Sequence, residues 1–176
     1  SALRHQTDPD VITLALNQIG ELDKGIQQQL WIQNNEDSWN ALMFALRHQT
    51  DPDVIRLALN QIGEFDKVTQ QQLWLQTNKN DENALMYALS IQTDPAVITL
   101  ALNQIGQLDP GIQQQLWLKN NTGDSNALMF ALRNQTDPDV ITLVLNQIGK
   151  LDKGIQQQLW LQTNEEDWNA LMLALR

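Results

Sequence analysis

The sequence predicts an all-α protein built as a solenoid of four 43-residue units. Three observations carry this prediction. The tetrapeptide Thr-Asp-Pro-Asp begins at Thr7, Thr50 and Thr136, and the variant Thr-Asp-Pro-Ala begins at Thr93, so the spacing is 43 residues throughout. Apolar side chains within each unit recur at helical intervals. No stretch shows sustained alternation of apolar and polar residues, which predicts almost no sheet.

The repeat extends over the whole chain of 176 residues, which we treat as a single repeat domain. Comparison of the units with one another finds the same residue type in all four copies at 25 of the 43 positions. The units are 1–43, 44–86, 87–129 and 130–172, followed by a partial unit, 173–176. Self-similarity at this period is typical of solenoids, in which each unit buries its apolar face against its neighbours.

Each unit is predicted to contain three helices, as the second unit illustrates. Residues 40–49 place apolar side chains at 41, 42, 45 and 46, which form one face of a first helix. The second helix begins at Thr50-Asp51-Pro52-Asp53, with either the Thr or the Asp as its N-cap, and ends at Gly63 in the left-handed conformation. The third and shorter helix runs from Lys67 to Gln76 and is capped by Asp66, and a polar loop follows it.

The first helix and the start of the second carry a family resemblance. The segment Asn40–Leu46, followed by a turn and then Val54-Ile55 with Leu57 and Leu59, resembles the ankyrin repeat, and it recurs at 83–89, 126–132 and 169–175. Asn-Ala stands where ankyrins have Thr-Pro, and Met43 replaces their His. The position of the ankyrin turn glycine is held by Ser38, Asp81, Asp124 and Asp167.

The period of 43 residues exceeds the ankyrin period of about 33, and the third helix accounts for the additional residues. Armadillo and HEAT repeats match the period better and the motif less well. The resemblance therefore implies an ankyrin-like array with an enlarged connection between units.

Composition excludes several classes of function. The net charge of −10 disfavours binding to nucleic acid or to anionic membranes, and the absence of cysteine removes disulfides and thiolate metal sites. No apolar run is long enough to span a bilayer and no secretory leader is seen, so we expect a cytoplasmic protein. We also expect that the protein binds no cofactor.

Candidate catalytic and metal-binding groups have simpler structural interpretations. Acidic pairs recur beside proline at the predicted helix starts, where they cap the helix and offset its dipole; they are Asp8 and Asp10, Asp51 and Asp53, and Asp137 and Asp139. The histidines, His5 and His48, lack the spacing of a metal site. We therefore expect no enzyme activity and no metal. The repeated tryptophans are interpreted as core between units rather than as a stacking ladder for bases or sugars; they are Trp31, Trp74, Trp117 and Trp160.

A candidate binding face follows from the positions at which the units differ, because stacking requires sameness while a binding face is free to vary. In ankyrin arrays the turn tips and the exposed side of the first helix contact partners, and the resemblance maps the variable positions there. Several are aromatic, a class enriched at interaction hot spots. The candidates are Trp39, Phe44, Arg47, His48, Glu82, Tyr87, Ser90, Ile91, Ser125, Phe130, Arg133, Asn134 and Trp168.

The predicted function is therefore a scaffold that binds a protein partner of unidentified nature through its concave face. The alternatives are a structural or self-associating spacer and a modular nucleic-acid reader, which the acidic charge disfavours. The chain begins within a first helix and ends after supplying another, so we also expect head-to-tail association through Leu171 and Leu175.

Overall fold

A computed structural model describes residues 8–176, and the regular structure in this range is helical. This confirms the all-α prediction. Isolated bridges pair Thr77 with Asn83 and Thr163 with Asn169, and no strand forms within residues 8–176. The helices are α1 (Pro9–Gly20), α2 (Lys24–Ile32), α3 (Ala41–His48), α4 (Pro52–Gly63), α5 (Lys67–Leu75), α6 (Ala84–Ser90), α7 (Pro95–Gly106), α8 (Pro110–Leu118), α9 (Ala127–Asn134), α10 (Pro138–Gly149), α11 (Lys153–Leu161) and α12 (Ala170–Ala174).

These helices are of three kinds, and each kind recurs along the chain at the period of the sequence repeat. The first helices are α3, α6, α9 and α12, the second helices are α1, α4, α7 and α10, and the third helices are α2, α5, α8 and α11. Helices of one kind pack side by side in chain order, so that α3 contacts α6, α6 contacts α9, and α9 contacts α12. The first helix expected before α1 lies outside the described residues.

The first helices begin at asparagines, of which Asn40, Asn83 and Asn126 are buried. The Oδ1 atom of Asn40 accepts the backbone N–H of Met43 at 2.9 Å, and its Nδ2 atom donates to the carbonyl of Leu73 at 3.0 Å. One side chain therefore caps the first helix α3 and ties it to the third helix α5. This dual bonding requires a side chain that both accepts and donates hydrogen bonds, as the asparagine amide does.

Aspartate, rather than threonine, caps the second helices. The Oδ1 atom of Asp51 accepts the backbone N–H groups of Asp53 at 2.8 Å and Val54 at 3.3 Å, and Pro52 occupies the first turn. Asp8 and Asp137 accept the corresponding N–H groups of Asp10 and Asp139. The interpretation of these acidic pairs as helix caps is confirmed.

The prediction that Gly63 adopts the left-handed conformation is wrong. Gly63 is the last residue of α4, and Glu64 after it has φ of −84°. A Cβ atom on Gly63 would lie 3.2 Å from the amide nitrogen of Gln104, which donates to the carbonyl of Leu59 at 2.6 Å. Glycine is present because the side chain from the next second helix occupies this space.

Positive φ angles occur instead in the turns before the first helices. Their values are 64° at Ser38, 59° at Asp81, 56° at Asp124 and 62° at Asp167. These are the positions at which ankyrins carry the turn glycine. The left-handed turn is therefore formed here by serine and aspartate, of which Asp tolerates the conformation better than most residues.

The core contains most of the repeated tryptophans. Trp31, Trp74 and Trp117 are buried, and Trp160 is half-buried against the same cluster. The prediction that these rings form the core is confirmed. No helix within residues 8–176 is long and apolar enough to cross a membrane.

Candidate functional site

The turns that precede the first helices are built around an asparagine and lie side by side. The Oδ1 atom of Asn78 accepts the backbone N–H groups of Asn80 at 2.8 Å and Glu82 at 3.1 Å. Neighbouring turns are joined by backbone hydrogen bonds, from Lys79 to Asp37 at 3.2 Å and from Thr122 to Asn80 at 2.9 Å. This arrangement aligns the residues at which the turns meet the first helices, which are Trp39, Glu82, Ser125 and Trp168.

Five of the candidate residues form one cluster, which we name the aromatic–arginine patch: Trp39, Phe44, Arg47, His48 and Tyr87. The centroid of the Trp39 ring lies 4.9 Å from the ring centroid of Tyr87, 5.4 Å from that of Phe44 and 6.0 Å from that of His48. The His48 ring also lies 5.7 Å from Phe44. Positions from a turn and from two first helices therefore meet, although 48 residues separate Trp39 from Tyr87.

The guanidinium of Arg47 covers the aromatic rings of the patch. Its central carbon lies 5.4 Å from the ring centroid of Tyr87 and 5.7 Å from that of Trp39, which is within cation–π distance. The same arrangement recurs at the last turn, where Arg176 lies 5.3 Å from the ring of Trp168. Both arginines follow their tryptophan by eight residues, so the contact joins the same two positions of the repeat in both places.

Tyr87 corrects the prediction that every candidate residue is available to a partner. Its side chain is buried, with 2% of the residue exposed, and its hydroxyl accepts from the Nδ2 atom of Asn78 at 2.7 Å and donates to the carboxylate of Glu82. Burial, followed by the hydrogen bond and charge of Glu82, raises the pKa of Tyr87 above its usual value. Tyr87 therefore supports the Trp39 ring from below rather than contacting solvent.

The remaining candidates lie on α6, on α9 and at the turns before α9 and α12. Ile91, Arg133 and Asn134 are exposed, and the Nδ2 atom of Asn134 donates to the carbonyl of Phe130 at 2.8 Å. The others are half-buried; they are Ser90, Ser125, Phe130 and Trp168. They share the face of the patch but do not belong to it.

Asn78 is a site residue that the sequence reasoning missed. The same position holds asparagine in all four units, and the search for a site was restricted to variable positions. The residue type was itself a signal, because the side chain of an asparagine before a turn commonly accepts a hydrogen bond from the backbone N–H two residues later.

No cluster of three or more His, Cys, Asp or Glu side chains within residues 8–176 is arranged to hold a metal ion, and His5 lies outside this range. Open depressions occur beside the third helices, and one of them is lined largely by amide side chains, among them Asn103, Gln113, Gln114 and Gln147. The residues of the patch do not line these depressions.

Comparison with known proteins assigns no family. No protein-family model matches the chain, and no curated protein matches it. Among solved structures, a chain from the structure of the Bd0816 predatory endopeptidase from Bdellovibrio bacteriovorus in complex with immunity protein Bd3460 is 16% identical, with a TM-score of 0.30. The match covers 92% of this chain and 90% of that one. No conclusion about function rests on this likeness.

Proposed function

We propose that this chain is a non-enzymatic scaffold that binds another protein through the face formed by its first helices and the turns before them. The observation that carries the proposal is the aromatic–arginine patch. Trp39 and Phe44 are half-buried, while Arg47 and His48 are exposed beside them. Interaction hot spots are enriched in tryptophan, tyrosine and arginine, and partly exposed aromatic rings supply contact area with little loss of side-chain entropy.

We further propose that the helices form a solenoid of four ankyrin-like units. The side-by-side packing of helices of one kind supports this, as do the backbone hydrogen bonds between successive turns. The resemblance to ankyrin repeats is supported by the positive φ at the position of the ankyrin turn glycine, for example 59° at Asp81. In such an array the first helices line the concave side, which is where the patch would then lie.

Peptides selected for binding to the wild-type chain from a random displayed library test the proposed function. Trp39→Ala and Arg133→Ala should each weaken most of the selected peptides. Val68→Ala is a matched control, since Val68 is 72% exposed on a third helix and its loss should change nothing. Circular dichroism checks that each variant keeps its helical content. Selected peptides that respond to Val68→Ala and not to Trp39→Ala would place binding on the third helices and refute the proposal.

A second candidate function, end-to-end self-association, is favoured by the exposed apolar side chains of α12. Leu171 is 55% exposed, whereas Leu42, Leu85 and Leu128 at the same position of the repeat are fully buried. The cause is that a neighbouring first helix covers these three leucines. A second copy of the chain would supply such a cover. The start of the chain is expected to form the other half of this contact. Residues 1–7 lie outside the described residues.

A further inference from the structure

Charge is unevenly distributed between the first helices and the rest of the chain. Of the 21 acidic residues, none lies in the first helices or the short segments after them, at 41–50, 84–93, 127–136 and 170–176. The ionised side chains in these segments are Arg47, Arg133 and Arg176, which occupy one position of the repeat. A molecule of net charge −10 therefore carries a row of positive charge along its first helices, beside turns that are mostly acidic, as at Asp81 and Glu82.

These arginines lack the carboxylate partners that Arg56, Lys79 and Lys119 have. Arg56 on a second helix pairs with Asp53 and lies 3.8 Å from Asp94, and Lys119 pairs with Asp81 at 2.7 Å. Within residues 8–176, no acidic side chain lies within ion-pair distance of the three arginines of the row. Stacking on rings positions Arg47 and Arg176 and leaves the edge of each guanidinium able to donate hydrogen bonds.

We propose that the partner is an extended acidic peptide segment whose carboxylates pair with Arg47, Arg133 and Arg176 while its apolar side chains contact Trp39, Phe130 and Trp168. This inference rests on the proposed function and names the chemistry of its partner. A carboxylate fits the planar edge of one arginine with two hydrogen bonds. A phosphate dianion or a nucleic acid fits less well, because each unit supplies at most one cation here and a phosphate carries up to two negative charges.

The row also predicts the spacing of the carboxylates. Neighbouring packed helices lie about 8–10 Å apart, and an extended peptide advances about 3.3 Å per residue. Arg133 and Arg176 are on adjacent units, so their partners should be about three residues apart. Arg47 and Arg133 are two units apart, because Ser90 occupies the position between them, and their partners should be about six residues apart.

Matched synthetic peptides with identical apolar residues test this inference, with Glu, Gln, Lys or phosphoserine at the charged positions. The Glu peptide should bind most tightly, and binding should weaken as salt is added. The triple variant R47Q/R133Q/R176Q should lower its affinity about tenfold or more. The control variant R56Q, which alters an arginine already paired on a second helix, should leave affinity unchanged. A peptide with its Glu residues moved off the predicted spacing should bind more weakly.

Several outcomes would overturn the inference and leave the proposed function standing. Tighter binding of the Lys, Gln or phosphoserine peptide through Trp39 would show a partner of different chemistry on the same face. Equal loss of affinity in R56Q and the triple variant would show a general effect of charge. Failure of every peptide to bind, with Trp39→Ala also without effect on peptides selected from a library, would instead refute the proposed function together with the inference.

Discussion

At the scale of single residues, the patch depends on side chains that a partner does not touch. Tyr87 is held as a neutral phenol because its ring is buried and its hydroxyl donates to Glu82. Its ring in turn supports Trp39, whose centroid lies 4.9 Å away. The exposed surface of the patch is therefore fixed by a hydrogen bond beneath it.

Titration of Tyr87 tests this arrangement. Tyr87 is the single tyrosine of the chain, so the ultraviolet absorbance of phenolate reports this residue alone. In the folded protein the pKa should lie well above 10.0, whereas in denaturant it should return close to that value. Because the folded pKa is the higher one, the associated stability is present below pH 10 and is lost as the pH rises further.

Glu82→Gln is the informative variant for that titration. Removing the negative charge should lower the pKa of Tyr87, but burial is the largest cause of the shift and should keep the pKa above 10.0. A folded protein whose tyrosine titrates at its ordinary value would contradict the buried hydrogen bond.

Ser38 offers a test of the strained turns. Its φ of 64° lies in the left-handed region, where residues other than glycine are disfavoured by roughly 1–2 kcal/mol. We expect Ser38→Gly to raise the free energy of unfolding by up to about 1 kcal/mol, after allowance for the greater entropy of an unfolded glycine. Urea denaturation measures the difference.

Gly123 provides the matched control, since it lies in an equivalent turn but does not have a positive φ. A Cβ atom there would meet its nearest neighbours at 3.5 Å, an ordinary contact, so Gly123→Ala should leave stability unchanged or slightly increased. A loss of stability in Ser38→Gly would show that the serine side chain stabilises the turn.

At the scale of elements, amide side chains join one helix to the next. The Nε2 atom of Gln61 donates to the carbonyl of Leu16 at 2.7 Å, and that of Gln104 donates to Leu59 at 2.6 Å. Both bonds link successive second helices. A glutamine of the third helix completes the connection within a unit, where Gln70 donates to the carbonyl of Phe65 at 2.7 Å.

The glycine that ends each second helix should respond to substitution according to its neighbour. Gly149→Ala adds a methyl group with no atom within 4 Å, so it should stabilise the protein by about 0.4–1 kcal/mol. Gly63→Ala places the methyl group 3.2 Å from Gln104, whose side chain must shift from its bond to Leu59. We expect Gly63→Ala to be less stable than Gly149→Ala by about 1 kcal/mol in urea denaturation.

Both glycines otherwise have the same surroundings, because the carbonyl of each accepts from a glutamine of the following third helix at 3.2 Å. The comparison therefore isolates the side chain of the next unit. Equal stability of the two alanine variants would mean that the Gln104 side chain moves at no cost in free energy. The hydrogen bond from Gln104 to Leu59, which links two second helices, would then contribute nothing to stability.

At the scale of the whole molecule, the exposed leucines of α12 predict an association that depends on concentration. Leu171 is 55% exposed and Leu175 is 79% exposed. Light scattering should show an average mass that rises with concentration for the wild-type chain. The variant L171E/L175E should remain monomeric, since burial of a charge without a partner opposes the contact.

Val68→Glu controls for added charge, because Val68 is equally exposed but lies on the third helix α5. This variant should associate as the wild-type chain does. A wild-type chain that stays monomeric at high concentration would mean that these leucines are tolerated in solvent, and the second candidate function would then be abandoned.

The helical class, the starts of the helices and most of the core could be predicted from the amino-acid sequence. These depend on local spacing, such as Asp before Pro at a helix start and apolar residues on one face. The tryptophan at one position of every unit indicated the core for the same reason, since a large apolar ring that recurs at a helical position is best placed inside. Each of these features depends only on residues that lie close together in the sequence.

The contacts between residues of different units could not be predicted from the sequence and became evident in the folded chain. Tyr87 was predicted at the surface because its position varies, but contact with Trp39 and Asn78 buries it. Gly63 was predicted in a left-handed cap, but it has no positive φ and lies against the side chain of Gln104. In both cases the decisive neighbour comes from outside the local segment or from another unit, and the distance and angle at which chain segments pack are not encoded in any short stretch of sequence.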